Sequence, residues 1–213
     1  MVTKMRFSAL FLMAVLSTLL AAYRFTPVQG MNTFVLSWSH AILPLMGALF
    51  GALGSYLLII RSILLLFAMA VGFKVQLFFG LPTLFASLYW STESGLLRIA
   101  VPFFCMILFI VHPVGFYAAP YTLFWLIPIA AHFYTDSRLL TAMASTFVAH
   151  AVGSVMHLYM VGTLSSWAWL KLIPIVVIER MTLGLSMYVA YRLLVKLRAL
   201  AYKYGYGERS YNL

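Results

Sequence analysis

Leu172-Ile173-Pro174-Ile175-Val176-Val177-Ile178-Glu179-Arg180-Met181-Thr182-Leu183-Gly184-Leu185-Ser186-Met187-Tyr188-Val189-Ala190-Tyr191-Arg192-Leu193-Leu194 is an apolar run of bilayer-crossing length. A helix needs about 20 apolar residues to traverse the hydrocarbon core of a membrane. Glu179 and Arg180 lie inside this run, and Glu179 is the only carboxylate set deep in any long apolar stretch of the chain. A charge at the bilayer centre costs at least about 3 kcal/mol, so such groups face a partner or a polar cavity. The pair is the first candidate for a functional site. Pairing with neighbouring helices to hold a bundle together is the structural alternative.

The rest of the chain has the same character. It is 64% hydrophobic and only 8% charged, with a mean hydropathy of +1.01. A soluble domain of 213 residues cannot hide that much apolar area, because its surface-to-volume ratio leaves too much facing water. The composition predicts an all-α, polytopic transmembrane helical bundle. It forms a single integral membrane domain over residues 1–213, with a basic cytoplasmic tail over 192–213. The net charge of +10 reads as membrane topology and not as nucleic-acid binding, since the cations stand singly at segment ends or gather in the tail. The single cysteine, Cys105, lies in an apolar run, so neither a disulfide framework nor a thiolate metal site is expected. The sequence contains no Walker loop, no His-Glu-x-x-His and no Gly-x-Ser-x-Gly, and no catalytic residue, metal or cofactor is assigned.

Apolar stretches run approximately over 5–23, 41–60, 62–80, 96–112, 116–134, 139–161 and 169–194. The first partly resembles a secretory signal, with Lys4 and Arg6 before an apolar core, but its length favours an uncleaved first span. Arg192, Lys196, Arg198, Lys203 and Arg209 against Glu208 place the C-terminus in the cytoplasm, and Lys4 and Arg6 place the N-terminus on the same side. An even number of crossings follows. The expectation is six full spans with one broken or re-entrant segment, seven spans being the alternative. Two stretches suit the irregular segment. Residues 39–55 carry Pro44, Gly47, Gly51 and Gly54, and the 96–112 stretch ends in His112-Pro113-Val114-Gly115.

Several polar residues stand where they can bind a solute. His150 and His157 are two helical turns apart, with Thr146 and Ser154 on the same stripe. Two histidines with no cysteine or carboxylate nearby leave the ligand number of a metal site unmet. His112 stands at the Pro113 break, followed by Tyr117, Tyr121 and Trp125 at spacings of four, which on an α-helix form one ridge. Such a ridge can grip a planar or aliphatic ligand, or anchor the chain at the membrane interface. Trp38, Ser39 and His40, before the glycine-rich stretch, admit the same two readings. Leu193, Leu194, Leu197 and Leu200 interleave with cations in the tail, which suits a helix leaving through anionic headgroups or one docking a cytoplasmic partner.

Four motifs together carry a family resemblance. They are Ile42-Leu43-Pro44-Leu45-Met46-Gly47-Ala48-Leu49-Phe50-Gly51, Gly80-Leu81-Pro82-Thr83, His112-Pro113-Val114-Gly115-Phe116-Tyr117, and Leu172-Ile173-Pro174 followed by Glu179 and Arg180. In order and spacing they resemble the substrate-binding S components of energy-coupling-factor (ECF) vitamin transporters, the biotin-type members most. In those members a Gly-Leu-Pro element follows the third span, Gly-Pro-Thr-Gly-Gly-Tyr is the stretch that His112–Tyr117 resembles, and the last helix carries Pro-Phe-x-Pro-Gly-Asp-x-x-Lys. Here the acidic and basic residues are adjacent, Phe116 replaces a glycine, and the 96–112 segment looks like an addition.

The resemblance implies a six-helix subunit of a bacterial inner membrane that captures a small vitamin-like molecule from outside. A transmembrane coupling subunit and two cytoplasmic ATPases would energise uptake. Trp38, His112, Tyr121, Trp125, His150, His157, Glu179 and Arg180 are the expected substrate-binding residues, with Arg180 on an anionic group and Glu179 as its orienter. Ala14, Ser17 and Ala21 on the first helix are the expected contact with the coupling subunit. The rival functions are a structural membrane scaffold and an intramembrane histidine-dependent enzyme.

Overall fold

The computed structural model describes residues 24–25, 36–37, 39–68, 73–134 and 136–203. The expected partner-contact residues Ala14, Ser17 and Ala21, and the candidate Trp38, lie outside them. The described chain is helical apart from one short pairing, in which β1 (Arg24–Phe25) runs antiparallel to β2 (Leu36–Ser37) with Arg24 opposite Ser37. The helices are α1 (Ser39–Ile42), α2 (Leu45–Phe50), α3 (Ala52–Ala68), α4 (Phe73–Ser91), α5 (Val101–Val111), α6 (Pro113–Tyr117), α7 (Leu126–His132), α8 (Arg138–Met160) and α9 (Ser166–Lys203). A π-helical turn, Leu96–Ala100, leads into α5, and a 3₁₀ helix, Ala119–Trp125, separates α6 from α7.

The glycine-rich stretch is broken as expected. Pro44, with φ near its natural value, starts α2, and Gly51 at φ +60° ends it. That backbone conformation costs glycine nothing and strains other residues. The 41–60 span of the sequence reading is therefore replaced by two short helices and the start of α3. Nor does Arg61 separate two segments, because α3 runs through it to Ala68. A lone arginine is a good helix former and terminates nothing by itself. Gly80-Leu81-Pro82-Thr83, expected after the third span, lies inside α4. Pro82 packs on α8, where a Cβ at Gly153 would sit 3.6 Å from its ring.

Close backbone approach explains two glycines. A Cβ at Gly47 would fall 1.9 Å from the Ser87 carbonyl oxygen, so α2 touches the backbone of α4. Ser55 and Ser87 share a 3.0 Å hydrogen bond between α3 and α4. Gly115 likewise lets α6 fold back onto the end of α5, where a Cβ would meet the Phe109 carbonyl at 1.8 Å.

The 116–134 stretch, expected as one span, is in three pieces. Pro113, Pro120 and Pro128 each remove a backbone donor from a sixteen-residue segment, and no α-helical ladder survives three such gaps. His112 is extended (φ −72°, ψ 136°) and caps α6, its Nδ1 accepting the Val114 N–H at 3.2 Å. The Tyr117-Tyr121-Trp125 ridge is lost with the α-helix. Tyr117 leaves the ridge because the backbone breaks at Ala118 (φ −107°, ψ 17°) between α6 and the 3₁₀ helix, whereas Tyr121 and Trp125 stay in contact with their rings 6.2 Å apart. Tyr117 is 74% exposed, whereas Tyr121 and Trp125 are 1% and 0% exposed.

α4 and α8 run antiparallel through the centre, and α9 lies along α8. Trp90 of α4 donates its indole N–H to Ser145 of α8 and Met187 of α9, both at 3.1 Å, joining the three helices at one end. At the same end the buried Arg98 donates to the Tyr89 carbonyl at 3.2 Å and lies over the Tyr89 ring. α8 matches the expected 139–161 span and is capped by Ser137, whose Oγ accepts the Leu140 N–H. α9 begins earlier than expected and continues through Pro174 into the basic tail as 38 unbroken residues.

Arg138–Met160 and Ser166–Leu197 are long and apolar enough to cross a membrane, and Ala52–Ile63 and Leu96–Val111 are shorter apolar helices. Six helices of spanning length are not found among the described residues. Phe103, Phe104, Ile107 and Val111 of α5 and Ile178 and Leu185 of α9 nonetheless face outward. Large apolar side chains turned outward on both helices suit lipid better than water.

Candidate functional site

The largest buried cluster is built around Phe109 of α5, between the 3₁₀ segment, α8 and the first half of α9. Phe109 stacks on Tyr121 and receives the edges of Trp125 and Trp169 at 5.4 and 5.2 Å. The uniformly apolar α5 sequence supplies this ring, and the tight 3₁₀ turn swings both Tyr121 and Trp125 inward against it. Trp169 enters from the first turn of α9 and closes on the Tyr121 ring at 4.9 Å.

The polar part of the site lies on this aromatic base. Tyr121 OH and His150 Nε2 share a 2.8 Å hydrogen bond. Ser154, one turn further along α8, places its hydroxyl 3.4 Å from His150 Nε2 and 3.5 Å from Tyr121 OH. His157 lies edge-on to Trp169 at 5.5 Å. The stripe expected on α8 is thus real: Thr146, His150, Ser154 and His157 turn toward the 3₁₀ segment and α9. Thr146 Oγ1 donates to the Met143 carbonyl of its own helix at 2.7 Å and lies 3.2 Å from the Arg180 carbonyl, which sets α9 against α8 at this level.

Glu179 and Arg180 form an ion pair, with the carboxylate 1% and the guanidinium side chain 13% exposed. One carboxylate oxygen accepts from an Arg180 terminal nitrogen, leaving Glu179 Oε2 and Arg180 Nε, both buried, without a hydrogen-bond partner among the described residues. The indole nitrogens of Trp125 and Trp169 are in the same state. Buried polar atoms are satisfied in the great majority of cases, so four such atoms in one region require a reason.

Of the expected site residues, Tyr121, Trp125, His150 and His157 come together with Trp169, and Glu179 and Arg180 lie on the adjoining turns of α9. His112 does not join them. It caps α6, and its ring meets Tyr159 at 5.1 Å at the end of the bundle. Sequence reasoning missed Phe109 and Trp169. Nothing distinguishes Phe109 from its apolar neighbours, whereas Trp169 ends a Trp167-Ala168-Trp169 pair whose members point opposite ways, Trp167 outward and Trp169 inward. Among the described residues no three histidine, cysteine or acidic side chains converge as a metal-ligand set. His150 bonds a phenol and lies near a hydroxyl, which is a hydrogen-bonding arrangement and not an acid–base pair with a carboxylate.

No family model, curated protein or solved structure matches this chain. Its function is read from the residues themselves.

Proposed function

We propose that the chain is a membrane-embedded solute-binding subunit that takes up a small, polar-ended nutrient, of the S-component type its motifs resemble. In this reading it is a six-span protein of a bacterial inner membrane with both termini in the cytoplasm. A coupling subunit and two ATPases supply the energy. One observation carries the reading: Glu179 Oε2, Arg180 Nε and the two indole N–H groups are buried without partners among the described residues, beside the Tyr121–His150 pair. Each buried polar group left unmet costs about 1–3 kcal/mol, so a solute that satisfies several of them gains affinity from the site. Phe109, Trp169 and Trp125 provide the apolar walls against which its body packs. Arg180 meets an anionic group and Glu179 orients it.

A structural scaffold is the second reading, favoured by the tightness of the same region, where Phe109 and Trp125 are wholly inaccessible. Native mass spectrometry of the chain purified from its own membranes in mild detergent separates the two. The transport reading requires a stoichiometric small molecule that is lost in Arg180→Lys, which keeps the charge but not the planar fork. A chain that carries no small molecule and stays with cell-envelope proteins is a scaffold.

A further inference from the structure

Arg98 sits in the π-helical turn that leads into α5 and is 2% exposed. An isolated π-helical turn is rare and often marks a functional site. Arg98 Nε donates to the Tyr89 carbonyl in the last turn of α4, and the guanidinium lies 4.8 Å over the Tyr89 ring. The two terminal nitrogens have no partner among the described residues and neither is enclosed, so the fork of a buried cation opens at the surface. A buried cation is costly unless it is paired. No carboxylate among the described residues pairs with this one: Glu179 is bound to Arg180, and Glu93 and Asp136 are exposed. His132 of α7 packs on the same turn, its Nε2 3.6 Å from where a Cβ on Gly95 would stand, and its buried Nδ1 also has no partner among the described residues. The surroundings are apolar. Leu96, Phe133 and Tyr134, next to these groups in sequence, are exposed, and α5 turns Phe103, Phe104 and Ile107 outward. By helical rise Ile107 is about 13 Å from Arg98, close to the hydrocarbon depth of one leaflet, about 15 Å.

We propose that Arg98 binds the phosphate of a membrane phospholipid whose acyl chains lie along the outward side chains of α5. The inference rests on α8 crossing the membrane and not on the solute-binding reading. α8 is long and apolar enough to cross, and it begins at Arg138, shortly after His132, which sets this end of the bundle near the headgroups. The planar fork meets two phosphate oxygens at once, and a long arginine stem can lie buried while its head reaches the interface. Capping the end of α4 uses Nε alone and leaves that fork unused. A free phosphate ion would occupy the fork but makes no use of the apolar side chains beside it.

The test begins with carbonate extraction of native membranes. Release of the full chain into the soluble fraction would overturn the membrane placement, and this inference with it. The full chain is then purified in mild detergent, stripped of lipid and titrated separately with phosphatidylglycerol, with diacylglycerol of the same acyl chains, and with inorganic phosphate. Native mass spectrometry reads bound lipid, and tryptophan fluorescence reads the melting temperature. Phosphatidylglycerol binds one per chain and raises the melting temperature, whereas diacylglycerol does neither. Arg98→Gln weakens that binding by about tenfold or more, as expected for loss of charge-assisted hydrogen bonds, and Arg98→Lys weakens it less. Glu93→Gln leaves it unchanged. An equal response to diacylglycerol, or phosphatidylglycerol binding indifferent to Arg98→Gln, would overturn the proposal. So would inorganic phosphate alone giving the full shift, which would make this a free-anion site. A fall in melting temperature in Glu93→Gln as large as in Arg98→Gln would mean that Glu93 already neutralises the cation. Where Arg98→Gln does not fold, phosphatidylglycerol against diacylglycerol on the unaltered chain still decides.

Discussion

Replacing Arg180 with alanine leaves the Glu179 carboxylate in a site where 1% of its surface reaches solvent. The Arg180 nitrogen is its one hydrogen-bond donor among the described residues, and the second oxygen already has none. Removing one member of a buried ion pair costs about 3–5 kcal/mol, because the remaining charge is uncompensated. Arg180 is slightly exposed, so the lower part of that range applies. For a chain of this size roughly 3 kcal/mol corresponds to a fall in melting temperature of about 10 °C. The assay is tryptophan-fluorescence melting in a single detergent, with Glu179→Gln combined with Arg180→Ala as control. The double variant removes the stranded charge and regains most of the loss. An Arg180→Ala protein melting within about 2 °C of the parent would refute the argument, since the pair would then contribute little to the interior.

Other expectations are simpler to check. Tyr121→Phe removes the hydrogen bond to His150 while keeping the stacking on Phe109, and lowers stability by about 1–2 kcal/mol in chemical unfolding. It reduces solute binding more than Ser154→Ala does, because the Ser154 contacts are longer. Gly47→Ala forces a methyl into the Ser87 carbonyl and prevents α2 from seating on α4, giving a chain that aggregates on size-exclusion chromatography. Ser55→Ala, which only loses one hydroxyl contact at the neighbouring level, remains monodisperse.

The helical class and the two breaks were legible because they rest on strong local signals. Composition excludes a water-exposed core of this size, and the two stretches carry prolines placed to start a new helix, Pro44 and Pro113, with Gly51 at φ +60° ending one. The α8 stripe was legible for the same reason, since 3.6-residue periodicity placed Thr146, His150, Ser154 and His157 on one face before any contact was known. Hydropathy alone failed where it was read as continuous helix. Three prolines between Pro113 and Pro128 outweighed the apolar run, and the resulting 3₁₀ segment separated Tyr117 from Tyr121. Arg61 failed in the opposite sense, because a single charge looks like a boundary in a hydropathy profile but does not break a backbone ladder. Phe109, at the centre of the site, could not be singled out, since its role depends on which helices surround it and not on its neighbours in sequence.

The unbroken length of α9 has a mechanical consequence. Beyond Pro174 the helix has no proline and no disrupted turn, so it tilts as one rod. Its aromatic contact with Trp90 at Tyr191, 5.2 Å between rings, lies between the Glu179–Arg180 pair and the last described turn. Helical rise places Arg180 about 17 Å to one side of this fulcrum and Lys203 about 18 Å to the other. The two arms are nearly equal. A sideways pull on the basic end of the helix, about this pivot, would appear at the buried ion pair with similar size and opposite direction.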